Sequence, residues 1–408
     1  MRHLHHHLQP ILKQQQRHIS IVTCVDRSVF PTAPWQEIQK ASDALLKSND
    51  TITVTPLAYS DASNSLVLPN SPELLNTCEA LVIGTRDESL LKEMLQSDVT
   101  PSLKWIHCLA AGVDQLPFAQ LRARAAIDPN FLVTHHSGIS SLPLAEYVLA
   151  GYLHFAKHLT IMAENKKKKI YQRPPGNISP MEISNTTVGV IGYGSIGRSV
   201  AKMCKLGFDM RVIGMTRRGG GRRGKRRESV DDDDDEDKKE DEDEDDFADI
   251  HLAHDDDNLR YLLEESDLVV LALPKTRRTS NLLGRRELSW MKSDSVLCNV
   301  GRGNSIDEIS LAAMLTSGPR NGELRGVCAA LDVYEREPLL EDSPLWNVPA
   351  DRILLSPHSA DQTDRYWSET AGTWLFNASS YVENGGAFGC GLEELRERSC
   401  VVDLDEEY

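Results

Sequence analysis

Three strings in the second half of the chain hold residue types that handle protons and anions. Arg302 lies in NVGRG (299–303), Glu335 and Glu337 in AALDVYEREPL (329–339), and His358 in LLSPHSA (354–360). A histidine titrates near neutral pH and so suits a proton-transfer step. A carboxylate bonded to its other ring nitrogen favours the imidazolium and fixes the ring. An arginine offers a planar fork to a carboxylate and can polarise a neighbouring carbonyl. Taken singly, each has an ordinary reading: an acid in a surface loop, a histidine capping a strand end.

A second constellation lies upstream. VGVIGYGSIGRSVAKMCKLGF places Gly192, Gly194 and Gly197 directly after a strand-like segment and at the opening of a helix-like one, with Ser195 and Ile196 between the last two glycines. The first glycine makes a tight turn, the second admits a pyrophosphate to the backbone, and the third lets helix pack on strand. With strand, loop, helix and next strand all in place, the string reads as a dinucleotide site. An NAD site carries an acid about 20 residues on, at the end of the second strand, to hold the ribose hydroxyls. Here that place holds Thr216, Arg217 and Arg218. An acid would repel a 2′-phosphate, whereas a hydroxyl and two guanidiniums attract it. NADP(H) is therefore the expected cofactor, with NAD(H) as the alternative. The competing reading makes the two arginines the solvated start of a basic run.

These residues need a scaffold, and the pattern supplies one. Short β-rich segments alternate with helical ones, as in a parallel-sheet α/β protein. Strands are expected at 19–25, 51–58, 80–85, 104–110 and 131–136, with helices at 34–47, 88–97 and 117–126. A long helix, apolar on most faces, follows at 140–159. A second series has strands at 186–194, 211–216, 266–274, 295–301, 326–333 and 352–357, a six-strand doubly wound pattern. Helices fit at 195–206, 259–264, 285–290, 307–316 and 343–346. A last helix at 362–384 would return to the first domain. The expected architecture is two doubly wound α/β domains with a cleft between them: a flavodoxin-like substrate domain (19–139 and 358–408) and a Rossmann NAD(P)-binding domain (140–357), after a tail at 1–18.

Composition narrows the class. The 408 residues carry a formal charge of −16, but 228–257 alone holds nineteen acids against Lys238 and Lys239, so the remainder is close to neutral. Seven basic residues and no acid occupy 217–227. Residues 217–257 thus read as a low-complexity, disordered insertion, because such a sequence buries no apolar area. No apolar run approaches the roughly 20 residues of a membrane span, which argues against a membrane protein. Eight scattered cysteines without a CxxC pair read as free thiols in a reducing compartment. The cytoplasm is the expected location, with an acid-free N-terminal segment leaving a mitochondrial alternative. His3, His5, His6 and His7 form no shaped metal site, and no metal is expected.

The four motifs, in this order and spacing, resemble the D-isomer-specific 2-hydroxyacid dehydrogenase family from about residue 19 to the final VVDLDEEY. The resemblance implies that Arg302 binds substrate, that His358 is the acid/base, and that the acid before the proline, Glu337 rather than Glu335, is its partner. The chemistry agrees: reducing a 2-keto acid requires hydride at the carbonyl carbon and a proton for its oxygen. By the same resemblance Asp332 reaches the nicotinamide carboxamide or its ribose, and Leu273, Pro274 and Val300 line the cofactor cleft. The loop LAAGVDQLP (109–117) is similar to one whose amides meet the substrate carboxylate, which points to Ala111, Gly112 and Val113.

The expected function is hydride transfer between NAD(P)H and a small 2-keto acid, of the glyoxylate/hydroxypyruvate reductase kind. The resemblance also implies a homodimer, a small 2-keto or 2-hydroxy acid as the partner, and no nucleic acid. The rival reading is an NAD(P)-sensing interaction protein related to dehydrogenase-like transcriptional corepressors. The basic and acidic runs are compatible with that rival, while a complete catalytic set favours the enzyme.

Overall fold

A computed structural model describes residues 19–25, 40, 52–56, 58–60, 65–67, 73–84, 87–171, 179–217, 246–317, 326–383 and 401–405. The N-terminal tail, all but residue 40 of the helix expected at 34–47, Arg218 and 219–245 lie outside them, as do Cys390 and Cys400. The chain divides into two compact units, Met1–Ile139 with Asp364–Tyr408, and Ser140–Thr363. His358, which the sequence assigns to the first, falls in the second.

The first unit is built on β1 (Ile19–Val25), β2 (Ile52–Pro56), β5 (Ala80–Gly84), β6 (Trp105–Cys108) and β7 (Leu132–Thr134), paired in parallel in the order β2-β1-β5-β6-β7. A small antiparallel pair, β3 (Ala58–Ser60) and β4 (Ser65–Val67), stands apart. Every residue of β1 and β5 is buried, as expected for central parallel strands covered on both faces. One face packs Leu91, Met94 and Leu121 from the helices Glu88–Met94 and Phe118–Ile127. The other is covered by Trp374, Ala378 and Tyr381 of the returning helix Tyr366–Glu383, against Trp105, Ile21 and Val82.

The second unit carries seven parallel strands: β8 (Thr187–Ile191), β9 (Arg211–Thr216), β10 (Ile250–Ala253), β11 (Leu268–Leu271), β12 (Val296–Asn299), β13 (Cys328–Leu331) and β14 (Ile353–Leu355). Their order is β10-β9-β8-β11-β12-β13-β14. The order reverses between β8 and β11, the switch point where ligands of such sheets bind. Helix Ser195–Phe208 buries Gly197, Val200, Ala201 and Cys204, one helical stripe. Helix Ser141–Ala156 approaches the sheet through Gly151, where a Cβ would lie 2.8 Å from Ala330 Cβ.

Two expectations need correction. The nucleotide-type sheet has seven strands rather than six, and residues 246–257, expected to belong to a disordered insertion, carry β10 and the start of the following helix. The acids hid a working pattern. Ile250 pairs with Ile213 and Ala253 with Thr216, while Phe247, Ala248, Ile250 and Leu252 pack on the cores. Asp249 caps the strand entry by accepting the Val212 N–H at 2.8 Å and pairing with Lys205 at 2.7 Å. Asp255 N-caps helix Asp256–Glu265 through the Asn258 N–H, with two further acids in its first turn. The three acids at 255–257 therefore serve one helix start, Asp255 as its cap and the other two in its first turn.

Candidate active site

β12, β13 and β14 are adjacent strands, and each delivers one residue of the set at its carboxyl end. After β12 the chain passes Gly301, Arg302 and Gly303. A Cβ at Gly301 would sit 2.5 Å from Leu273 N, and one at Gly303 only 1.8 Å from the Tyr334 carbonyl carbon. The two glycines let the ends of β11 and β13 close on this loop, with Arg302 held between them. Asn299 fixes it further, accepting the Gly301 N–H at 3.1 Å and donating to the Arg302 carbonyl at 3.1 Å. Ser305 Oγ donates to the same carbonyl at 2.6 Å. Arg302 lends Nη1 to the Gly301 carbonyl at 2.9 Å.

After β13, the Tyr334 N–H donates to Glu337 Oε1 at 3.0 Å, which leaves Oε2 for His358 Nδ1 at 2.6 Å. Glu335 does not meet the histidine through any such bond; its N–H is held by Glu308 Oε1 at 2.7 Å. The Glu337 bond raises the His358 pKa above its ordinary value, opposed by partial burial and by the Arg302 charge. With Nδ1 engaged, Nε2 is the ring nitrogen left for a reactant. The His358 side chain is 37% exposed and so accessible to a reactant.

Asp332 follows directly on β13 and is buried. Its Oδ1 accepts Ser356 Oγ at 2.7 Å and the N–H groups of Ser359 and Ala360 at 3.0 and 3.2 Å. In this arrangement it organises the loop that carries His358.

The glycine-rich loop fits a dinucleotide. Gly192 has φ +98°, and a Cβ there would lie 2.4 Å from the Ala272 carbonyl oxygen. A Cβ at Gly197 would lie 2.4 Å from the Gly192 carbonyl oxygen, whereas Gly194 has nothing within 4 Å of that position. Gly194 and Ser195 are exposed at the helix N-terminus, whose N–H groups suit a pyrophosphate; Ile196 is half-buried. Thr216 is half-buried and Arg217 exposed. Leu273 and Pro274 are half-buried beyond β11, while Val300 is buried in the core. In the first unit, Ala111 and Gly112 are exposed and Val113 is buried. The Ala111 carbonyl meets His135 Nδ1 at 2.7 Å.

Several supporting residues escaped the sequence: Asn299, Ser305, Glu308, Tyr334, Ser356 and Tyr147. Asn299 and Ser356 sit inside NVGRG and LLSPHSA, and their polar types at strand ends are the available signal.

A family model for the NAD-binding domain of D-isomer specific 2-hydroxyacid dehydrogenases matches residues 149–237 and 235–360. The chain belongs to the D-isomer specific 2-hydroxyacid dehydrogenase family. Among curated relatives, glyoxylate/hydroxypyruvate reductase B of Salmonella typhi is 29% identical over 334 residues, covering 79% of this chain and 86% of that protein. Its Yersinia pestis (strain Pestoides F) counterpart is 29% identical over 335 residues, covering 80% and 90%. Among solved structures, a family member from Aeromonas salmonicida has a TM-score of 0.64 at 24% identity, over 96% of this chain and 100% of that one. A D-lactate dehydrogenase from Aquifex aeolicus, complexed with NAD and lactic acid, has a TM-score of 0.62 at 21% identity, over 94% and 98%. A Xanthobacter autotrophicus dehydrogenase in complex with NADPH has 0.64 at 22%, over 96% and 100%. These structural likenesses bear on the fold, and the dehydrogenase family places its NAD-binding model over the unit that carries the glycine loop, Arg302, Glu337 and His358.

Proposed function

We propose that the chain is a reductase of small 2-keto acids, of the glyoxylate/hydroxypyruvate kind, that prefers NADPH to NADH. The observation that carries the reading is the His358–Glu337 pair at 2.6 Å, with the Arg302 charge felt at the imidazole, on the same sheet as the glycine-rich loop. Bound nicotinamide supplies the hydride. His358, held as imidazolium by Glu337, gives a proton to the carbonyl oxygen through Nε2. Arg302 anchors the substrate carboxylate and polarises the carbonyl. The Gly194–Ser195 helix terminus receives the pyrophosphate, and Thr216 with Arg217 and Arg218 supports the NADPH preference. The same reading makes the protein a homodimer: helix Leu159–Lys167 has no buried residue, with Leu159 and Met162 45% and 46% exposed.

Initial rates of NADPH and NADH oxidation with glyoxylate, hydroxypyruvate, pyruvate and phenylpyruvate test it. Saturable turnover that favours NADPH is expected; none with any of these acids would remove the reading. Replacing Arg217→Glu together with Arg218→Glu is expected to move preference toward NADH. An unchanged cofactor ratio would separate those arginines from the 2′-phosphate.

A further inference from the structure

Tyr147 lies on helix Ser141–Ala156, far in sequence from the loop that carries His358. Its hydroxyl is 2.7 Å from Ser356 Oγ, which is 2.7 Å from Asp332 Oδ1. Ser356 Oγ is the donor toward both oxygens, and its single proton serves one of them at a time. The Tyr147 phenol, which burial keeps protonated, accepts from the serine and donates to the Leu331 carbonyl at 3.3 Å.

The chain of bonds ends on the catalytic loop. Asp332 Oδ1 gathers the N–H groups of Ser359 and Ala360 at 3.0 and 3.2 Å, and its backbone carbonyl takes that of His358 at 2.9 Å. His358 itself sits at φ 51°, a conformation a histidine keeps only where its surroundings hold it. The charged and titratable groups that act on the ring are Glu337, Arg302, Asp332 and Asp361. The side-chain hydrogen bonds of Tyr147 and Ser356 run to each other, to Asp332 and to the Leu331 carbonyl rather than to the ring.

We propose that Tyr147 and Ser356 are positioning residues for the proton transfer: their hydroxyls, relayed through Asp332, hold the turn at 356–360 in the conformation that brings His358 onto Glu337. The inference rests on the reading that His358 is the acid in 2-keto acid reduction. Breaking the relay loosens the turn and weakens the His358–Glu337 bond, while Arg302 and the glycine loop are left as they are.

The test follows the imidazole of His358 by NMR titration in the full chain with labelled histidine, beside kcat/KM against pH for glyoxylate and NADPH. The variants are Tyr147→Phe, Ser356→Ala, the two combined, and Ser356→Thr, which keeps the hydroxyl. In each single variant the His358 titration is expected to move down in pH, and kcat to fall about three- to tenfold, the factor one buried hydrogen bond represents. KM for the keto acid stays unchanged. The double variant is no worse than the worse single one, because one relay is broken only once. Ser356→Thr restores the wild-type titration. An unmoved His358 titration in both single variants, or losses that add in the double, overturns the proposal. If the titration shifts as stated while the wild type turns over no keto acid, the relay stands and the reductase reading falls.

Discussion

Two histidine sites in this molecule obey opposite rules. In the second unit His358 is partly exposed and bonded to a carboxylate, and its pKa is raised. In the first unit His107 and His136 are wholly buried and no carboxylate is among the groups that act on them. Burial pushes the His136 pKa down to about 3, with the neighbouring His135 charge adding to it, and pushes His107 well below its ordinary value. His107 Nδ1 meets Thr134 Oγ1 at 2.9 Å and the Asn377 side-chain amide at 3.4 Å, beneath Trp374. A desolvated imidazole takes up a proton near neutral pH only where a fixed anion offsets what desolvation costs the charged form. Without one it is a neutral packing and hydrogen-bonding group. The side-chain type is the same, and only the neighbours decide which it becomes.

The largest effect that follows is on the first kind of site. His358→Ala and Arg302→Ala are each expected to cut kcat/KM for keto acid reduction by at least about 100-fold, the scale of losing an acid or a charge anchor. His107→Gln, by contrast, should act on stability and leave kcat near wild type. Comparable kcat losses in the two histidine variants would erase the contrast.

Glu337→Gln sharpens the comparison by removing the anion while keeping the shape. A drop in kcat/KM of about tenfold or more above neutral pH is expected, the order of a bond to a charged group. The sign of the pH effect follows from the raised pKa. The imidazolium donor is present below the pKa of the folded protein and is lost as pH rises through it, so the alkaline limb of the reduction profile lies above the ordinary histidine value. In Glu337→Gln that limb should move to lower pH. The stability that the pair adds is likewise complete below the ordinary value near 6.5 and fades as pH climbs past the raised one. A limb that stays in place would mean that Glu337 does not set the charge of His358.

How much of this could be read from the chain differs between the same two regions. Around His358, the strings NVGRG, LDVYEREP and SPHSA marked the residues that the fold brings together, because short-range spacing is itself the device. Gly301 and Gly303 exist to let backbones close at 2.5 and 1.8 Å from a would-be Cβ, and that need is written in sequence. Tyr147 was not legible, since its role arises from packing a helix more than 200 residues upstream of Ser356 in sequence. Nor were His107 and His136, which meet residues of the returning helix, Trp374 and Asn377 beside His107 and Tyr366 beside His136. The fold alternation gave most strands to within a few residues, with β1 and β9 matching residue for residue. β10 is masked by composition: in DFADIHLA the apolar residues recur with a strand's period, but they follow an unbroken acidic run.

The effect expected of the buried pair is one of stability alone and leaves turnover untouched. A histidine kept neutral in the folded chain binds its proton readily when unfolded. Between the ordinary value near 6.5 and the folded value of about 3 for His136, the unfolded state therefore holds the extra proton, and stability falls as pH falls. Each such histidine contributes a slope of up to about 1.4 kcal/mol per pH unit in that window. Denaturant unfolding of the wild type from pH 7 to 4 should show the loss, and His136→Phe should flatten it by one proton's worth while leaving the alkaline limb of catalysis where it was. An unaltered slope in that variant would mean that His136 titrates in the folded state as it does in the unfolded one. The division between a carboxylate-paired and a carboxylate-free histidine would then fail at its quieter end, even if every prediction about His358 held.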